Sequence, residues 1–270
     1  MVEGGYFISN DNKLWYCMAM PTGQMRRCGI IFVHAADGNR LGPHRMFVEL
    51  ARKYNEMGYP TLRFDLAGCG DSTGSVSSEG IRGEVLDVVN AVGFFRDRMK
   101  LDGVILFGIS RGARVSYTAM VEHKLAIDGL ILLSTPLSSG QAALKSFGGQ
   151  LKEYAFKLGN GKSVRKLISG KADVLQIWRT LLKALRLNRR YQPVEDNGFA
   201  TKAPVLLIYG EHDPICREAG RYYSKILGKN DVRHECHVVS KANHSFFHYR
   251  WKQEIFDISK RWLETIHGGQ

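Results

Sequence analysis

The sequence predicts an α/β protein with a mostly parallel sheet flanked by helices, and three observations carry that prediction. Short apolar runs recur without the alternation of a half-exposed strand, the pattern of strands buried on both faces. Between them lie stretches of helix length with apolar residues three and four apart. The two kinds of segment alternate, as crossover connections between parallel strands require.

Taken in order, Tyr6-Phe7-Ile8-Ser9 and Leu14-Trp15-Tyr16-Cys17-Met18-Ala19-Met20 flank the turn-forming Asn10-Asp11-Asn12 and read as an opening hairpin. Four apolar runs follow: Gly29-Ile30-Ile31-Phe32-Val33, Thr61-Leu62-Arg63-Phe64, Val104-Ile105-Leu106-Phe107 and Leu130-Ile131-Leu132-Leu133. The spacing of Met46, Phe47, Leu50, Tyr54 and Met57 predicts one intervening helix, and that of Val85, Val88, Val89, Val92 and Phe95 the next. After Pro136 the rhythm stops for about sixty residues, then resumes with Val205-Leu206-Leu207-Ile208-Tyr209 and Glu235-Cys236-His237-Val238-Val239. Eight strands are therefore expected, with residues 1–136 and 201–270 forming one core and 137–200 a helical insertion after strand six.

Composition bounds the function. With 270 residues, 44% hydrophobic and 24% charged, the chain has the balance of a globular protein rather than a disordered tail. Its net charge of +12 raises nucleic acid or an anionic surface as a partner. The insertion carries much of that charge, twelve bases against four acids, a net of +8. Aromatic residues within it such as Phe147, Tyr154, Phe156 and Trp178 are spaced for helix burial rather than base stacking, which argues against nucleic acid. Five scattered cysteines without a C-x-x-C pair suit a reducing compartment. The N-terminus lacks the pattern of a signal peptide and no apolar stretch is long enough for a membrane helix, so a cytoplasmic location is expected.

The chemistry-bearing residues follow the third parallel strand. Gly108-Ile109-Ser110-Arg111-Gly112 runs from that strand into a helix-compatible stretch, 113–123, which is G-x-S-x-G in its strand–turn–helix context. A serine hydroxyl near neutral pH needs an adjacent base, itself oriented by a carboxylate. Asp213, in Gly210-Glu211-His212-Asp213-Pro214, and His244, in Ala242-Asn243-His244-Ser245-Phe246, each follow a later strand. The order Ser110, Asp213, His244 thus places all three at strand ends, where ligands bind in open α/β sheets.

On these residues the chain resembles the α/β-hydrolase family over nearly its whole length. The resemblance is carried by the His34-Ala35-Ala36 loop, the Arg63-Phe64-Asp65-Leu66-Ala67-Gly68-Cys69-Gly70-Asp71-Ser72 segment, the elbow, and the Asp213 and His244 loops. Within the family, Pro43-His44-Arg45-Met46-Phe47-Val48-Glu49-Leu50-Ala51-Arg52 joined to 65–74 is most similar to the feruloyl/cinnamoyl-esterase-like hydrolases and those associated with the exosortase system. The resemblance implies carboxylic ester or thioester hydrolysis through an acyl-enzyme, without metal or organic cofactor, and a lid inserted after strand six. It places the oxyanion donors on the backbone N–H groups of Arg111 and Ala36. The substrate pocket is expected in the lid region, with Trp178 a candidate lining residue and an anionic small molecule a candidate substrate. The Arg111 side chain is open to two readings, recognition of an anionic substrate or a pair with an acid such as Asp65.

Competing readings are weaker. Acyl transfer uses the same three residues, and a ligand sensor on a hydrolase scaffold is the alternative outside enzymes. His212 and His248 neighbour the chosen residues without their sequence context, and His34 reads as a structural loop residue. His234, Glu235, Cys236 and His237 look metal-like, yet alternation on a strand turns His234 and His237 to opposite faces. Gly161-Lys162-Ser163 lacks the earlier glycine of a phosphate-binding loop. Asp65, Asp71 and the glycines around them are expected to form a structural loop.

Overall fold

The computed structural model describes residues 2–35, 38–75, 81–137, 202–214 and 216–267. Eight strands are found among them: β1 (Val2–Ser9), β2 (Asn12–Ala19), β3 (Cys28–Val33), β4 (Thr61–Phe64), β5 (Gly103–Ile109), β6 (Gly129–Leu133), β7 (Val205–Gly210) and β8 (His234–Val239). They form one sheet in the order β1-β2-β4-β3-β5-β6-β7-β8. β1 pairs antiparallel with β2 and β2 with β4, and every other pairing is parallel. The expected insertion, 137–200 with Trp178, lies outside the described residues except at Leu137.

Burial explains which strands run where. β5, β6 and β7 are buried at every residue. Such strands need helices on both faces. α1 (Met46–Glu56) and α5 (Tyr249–His267) supply one cover: Met46, Phe47, Leu50 and Tyr54 join Ile255, Ile258, Trp262 and Leu263 over Ile30, Phe32, Ile105, Phe107, Ile131 and Ile208. The alternate residues of these strands, such as Ile31, Leu106, Leu132 and Leu207, point the other way. α2 (Arg82–Met99), α3 (Arg111–Glu122) and α4 (Cys216–Lys229) pack there, with Tyr117 of α3 edge-on to Tyr223 of α4. β8, at the sheet edge, is only partly covered and alternates in exposure.

Connectivity decides where the site lies. From β3 the chain moves outward to β4, then crosses back over β3 to place β5 on its other side. This reversal of direction between β3 and β5 opens a crevice at their carboxyl ends, the place where open α/β sheets bind ligands. His34 and Ala35 leave β3 there, and Ser110 leaves β5 beside them. Among the described residues no helix is long and apolar enough to cross a membrane.

Candidate active site

The turn at Ser110 is forced. Its φ of 53° and ψ of −120° lie outside the regions comfortable for an L-residue, between the end of β5 and the first turn of α3. Such a conformation costs on the order of 1–3 kcal/mol and persists where its surroundings over-determine it. The Ser110 N–H donates to the Leu133 carbonyl at 2.8 Å, and its own carbonyl accepts from the Arg114 N–H at 3.1 Å. The flanking glycines permit the close approach. A Cβ on Gly108 would stand 2.5 Å from the Ala113 Cα, and one on Gly112 2.3 Å from the carbonyl oxygens of Val33 and His34. That collision with neighbouring backbone is the physical content of the motif.

The structure brings the three sequence-selected side chains together. His244 Nε2 is 2.9 Å from Ser110 Oγ, and its Nδ1 is 2.9 Å from Asp213 Oδ2. With the ring neutral, Nδ1–H donates to the carboxylate and Nε2 accepts from the hydroxyl. The Asp213 side chain is fully buried, whereas that of His244 is 38% exposed. His212 is exposed, and His248 lies against Trp251 and Tyr249.

Two loops must be held in register for this geometry, and a glycine and a glutamate do so. A Cβ on Gly210 would stand 2.4 Å from the Ala242 carbonyl oxygen, so the Asp213 loop packs backbone to backbone on the His244 loop. The N–H groups of Glu211 and His212 donate to the carbonyls of Val239 and Ala242 at 3.0 and 2.8 Å. Glu211 Oε2 accepts from Ser240 Oγ at 2.9 Å and the Lys241 N–H at 2.7 Å. These bonds, the backbone one first, hold its carboxyl below the usual carboxylate range. Sequence reading missed Glu211, because its partners lie 29 and 30 residues downstream.

A cleft of about 360 Å³ opens on Ser110 and His244, lined also by His34, Ala35, Gly38, Asn39, Gly42, Pro43, Ile109 and Ser245. His34 is a structural member of its wall. It is 1% exposed; Nδ1–H donates to the Ala35 carbonyl at 2.7 Å, and Nε2 accepts from the Leu66 N–H at 3.0 Å. Burial pushes its pKa down, so the ring is held neutral. Of the two expected oxyanion donors, Arg111 begins α3, in the first turn where helix amides favour negative charge. Ala36 lies outside the described residues.

Of the two readings of the Arg111 side chain, the pair with an acid is the one seen, but the acid is Glu84 rather than Asp65: Nε donates to both carboxylate oxygens, at 2.9 and 2.7 Å. Asp65 is fully buried and taken by the Arg40 N–H at 2.5 Å, the Arg40 guanidinium and the Asp71 N–H at 3.1 Å. The Asp65–Gly74 segment is thereby a structural loop. His237 Nε2 lies 3.0 Å from Glu235 Oε2, whereas His234 Nδ1 faces the Val232 carbonyl, so the two imidazoles serve different neighbours. Among the described residues no group of three or more His, Cys, Asp or Glu is placed to hold a metal ion.

Comparison with known proteins follows the same line. A family model described as the alpha/beta hydrolase fold matches residues 30–169. Protein ABHD12B of Homo sapiens is 26% identical over 201 residues, which cover 74% of this chain and 48% of that protein. The lysophosphatidylserine lipase ABHD12 of Mus musculus is 30% identical over 126 residues, 46% of this chain and 30% of that one. The chain thus spans half or less of the length of these curated relatives. Est1E from Butyrivibrio proteoclasticus, solved with ferulic acid bound, superposes with a TM-score of 0.62 at 16% identity, covering 95% of this chain and 98% of that one. At that identity the likeness is one of fold.

Proposed function

The chain belongs to the alpha/beta hydrolase fold family, and on that premise we propose that it is a serine hydrolase cleaving a carboxylic ester or thioester through an acyl-enzyme. The observation that carries the reading is the chain of contacts from Asp213 through His244 to Ser110, opening on a cleft. In the proposed reaction Ser110 Oγ attacks the acyl carbonyl as its proton passes to His244 Nε2, and Asp213 stabilises the imidazolium. The carbonyl oxygen becomes an oxyanion facing the Arg111 N–H, with Ala36 the second proposed donor. The imidazolium then protonates the departing alcohol or thiol. Water then attacks the acyl carbon as its proton passes to His244, and the imidazolium returns that proton to Ser110 Oγ as the C–O bond breaks and the acid leaves. The relative named as a lysophosphatidylserine lipase makes a lipid ester one candidate within this class.

The test is labelling with a fluorophosphonate probe followed by turnover of aryl esters, acyl-CoA thioesters and lysophospholipids. Wild type is expected to label and turn over repeatedly, and Ser110→Ala to do neither while melting like wild type. His244→Ala is expected to lose most turnover and His248→Ala to keep it. A folded wild type that does not label, or a Ser110→Ala variant with undiminished turnover, overturns the reading.

A further inference from the structure

Immediately beyond His244 the chain reads Ser245-Phe246-Phe247-His248-Tyr249-Arg250-Trp251-Lys252, alternating apolar rings with bases. The inward members behave as core: Phe246 is fully buried and Lys252 is 7% exposed. The outward ones do not, since Phe247 is 51% and Tyr249 65% exposed. Facing them is the loop that lines the cleft through Gly42 and Pro43, where Leu41 is 42% exposed. The His44 ring meets Phe247 edge-on at 6.0 Å, Phe247 meets Trp251 at 5.1 Å, and His248 bridges Trp251 and Tyr249 at 5.5 and 4.9 Å.

This ledge is braced from below. Lys252 Nζ donates to Glu49 Oε1 at 2.6 Å and to the His44 carbonyl at 3.3 Å, tying α5 to α1 and to the loop. Exposed aromatic rings on a fixed base, contiguous with a cleft, mark a surface that meets another apolar phase. Its charge says which. Arg250 Nε donates to the Tyr249 hydroxyl at 3.1 Å and Arg45 is exposed beside His44; 38–45 and 244–253 contain no acid, the flanking ones being Asp37, Glu49, which pairs with Lys252, and Glu254. Rings that bury at the acyl boundary and guanidiniums at the level of the headgroups fit a bilayer surface of negative charge.

We propose that the His44–Phe247–Tyr249–Trp251 ledge docks the protein on an anionic lipid surface, with the mouth of the cleft beside the membrane. The proposal rests on the ester-hydrolase reading only for what the surface presents to the cleft; docking itself does not require turnover.

The experiment uses the full chain as Ser110→Ala, so that no lipid is consumed, and measures co-sedimentation with vesicles of phosphatidylcholine alone or mixed with phosphatidylserine. Binding is expected for the mixed vesicles, weakening with added salt. It is expected to fall about tenfold or more on adding Phe247→Ser with Tyr249→Ser, and likewise on adding Arg45→Glu with Arg250→Glu. The same pairs made in the wild-type background are expected to melt normally and to hydrolyse a short water-soluble ester as before. No sedimentation with mixed vesicles, equal sedimentation with neutral ones, or binding indifferent to both pairs overturns the proposal. Loss of soluble-ester hydrolysis in the Phe247/Tyr249 pair also overturns it, by assigning the rings to the substrate pocket. Should Ser110→Ala dock as expected while wild type cleaves no ester, the hydrolase reading falls and the docking face stands.

Discussion

Replacing Gly112 with alanine sets two physical effects against each other, and their magnitudes decide the outcome. Gly112 is the second residue of α3, where helix propensity alone favours alanine by about 0.5–1 kcal/mol. The added Cβ, however, would sit 2.3 Å from the carbonyl oxygens of both Val33 and His34 and 2.7 Å from the Val33 carbonyl carbon. All three are backbone atoms at the end of β3, so no side-chain rotation relieves the clash. An ordinary contact of about 3.3–3.4 Å requires the elbow and the β3 loop to separate by about 1 Å. Overpacking of this kind costs about 1–3 kcal/mol, which exceeds the propensity gain. A net loss of about 1–2 kcal/mol lowers Tm by several degrees at this chain length. Because the same shift separates Ser110 from the His34–Ala35 wall of the cleft, kcat/KM for an aryl ester is expected to fall about 100-fold. Gly93→Ala is the control: it is exposed in α2 with nothing within 4 Å of the added Cβ, and should leave kcat/KM unchanged and Tm equal or slightly raised. If Gly112→Ala matches Gly93→Ala in both Tm and kcat/KM, the close-approach argument for the elbow is wrong.

Two further outcomes test the surroundings of the site. The Arg111 and Glu84 side chains are 14% and 9% exposed, so Glu84→Ala, which removes the carboxylate that accepts from Arg111 Nε, is expected to cost about 1–3 kcal/mol in urea unfolding, and Glu84→Gln less. An increase in KM for an anionic ester with unchanged stability would instead mean that Arg111 reads the substrate. His34 is held neutral by burial, so its folded pKa lies below its unfolded value. Over that window the unfolded chain binds a proton that the folded one refuses, and stability present above pH 6.5 is lost as pH falls toward the folded pKa, with a slope of up to about 1.4 kcal/mol per unit. Unfolding wild type and His34→Asn between pH 8 and pH 5 should show the steeper acid loss in wild type; parallel curves would refute the neutral, buried assignment.

What was legible in the chain depended on whether the determining contact was local. β5, β6 and β7 declared themselves because a strand buried on both faces must be continuously apolar, and their apolar runs are continuous. Ser110 was legible because the glycines that let its turn close on α3 and on β3 lie two residues on either side. Asp213 and His244 were legible because each follows a strand end within a few residues. The partner of Arg111 was not, since Glu84 sits 27 residues earlier on another helix and carries no pattern that points to the elbow. Asp65 is one acid the sequence offers Arg111, but a buried carboxylate takes the donors that fold closest to it, here the backbone and guanidinium of Arg40. Glu211 was hidden for the same reason, its two acceptor bonds reaching across to the β8 loop.

The positions where local rules fail are also the ones that assemble the site. A serine at φ 53° and ψ −120° goes against its own backbone preference, and it stays there because neighbours on three elements hold it. Leu133 at the end of β6 accepts its N–H, Arg114 in α3 donates to its carbonyl, and β3 closes on Gly112. Relaxing any one would let Ser110 turn toward an ordinary helix start and carry its hydroxyl away from His244. The strain is thus inseparable from the 2.9 Å contact it maintains. The exposed rings beyond His244 break a different rule, that large apolar groups seek the core, and Phe246 obeys that rule while its neighbour Phe247 does not. In both places the deviation is bounded by residues that conform, which separates a built feature from a badly packed one: Gly108 and Gly112 about the serine, Phe246 and Lys252 about the ledge.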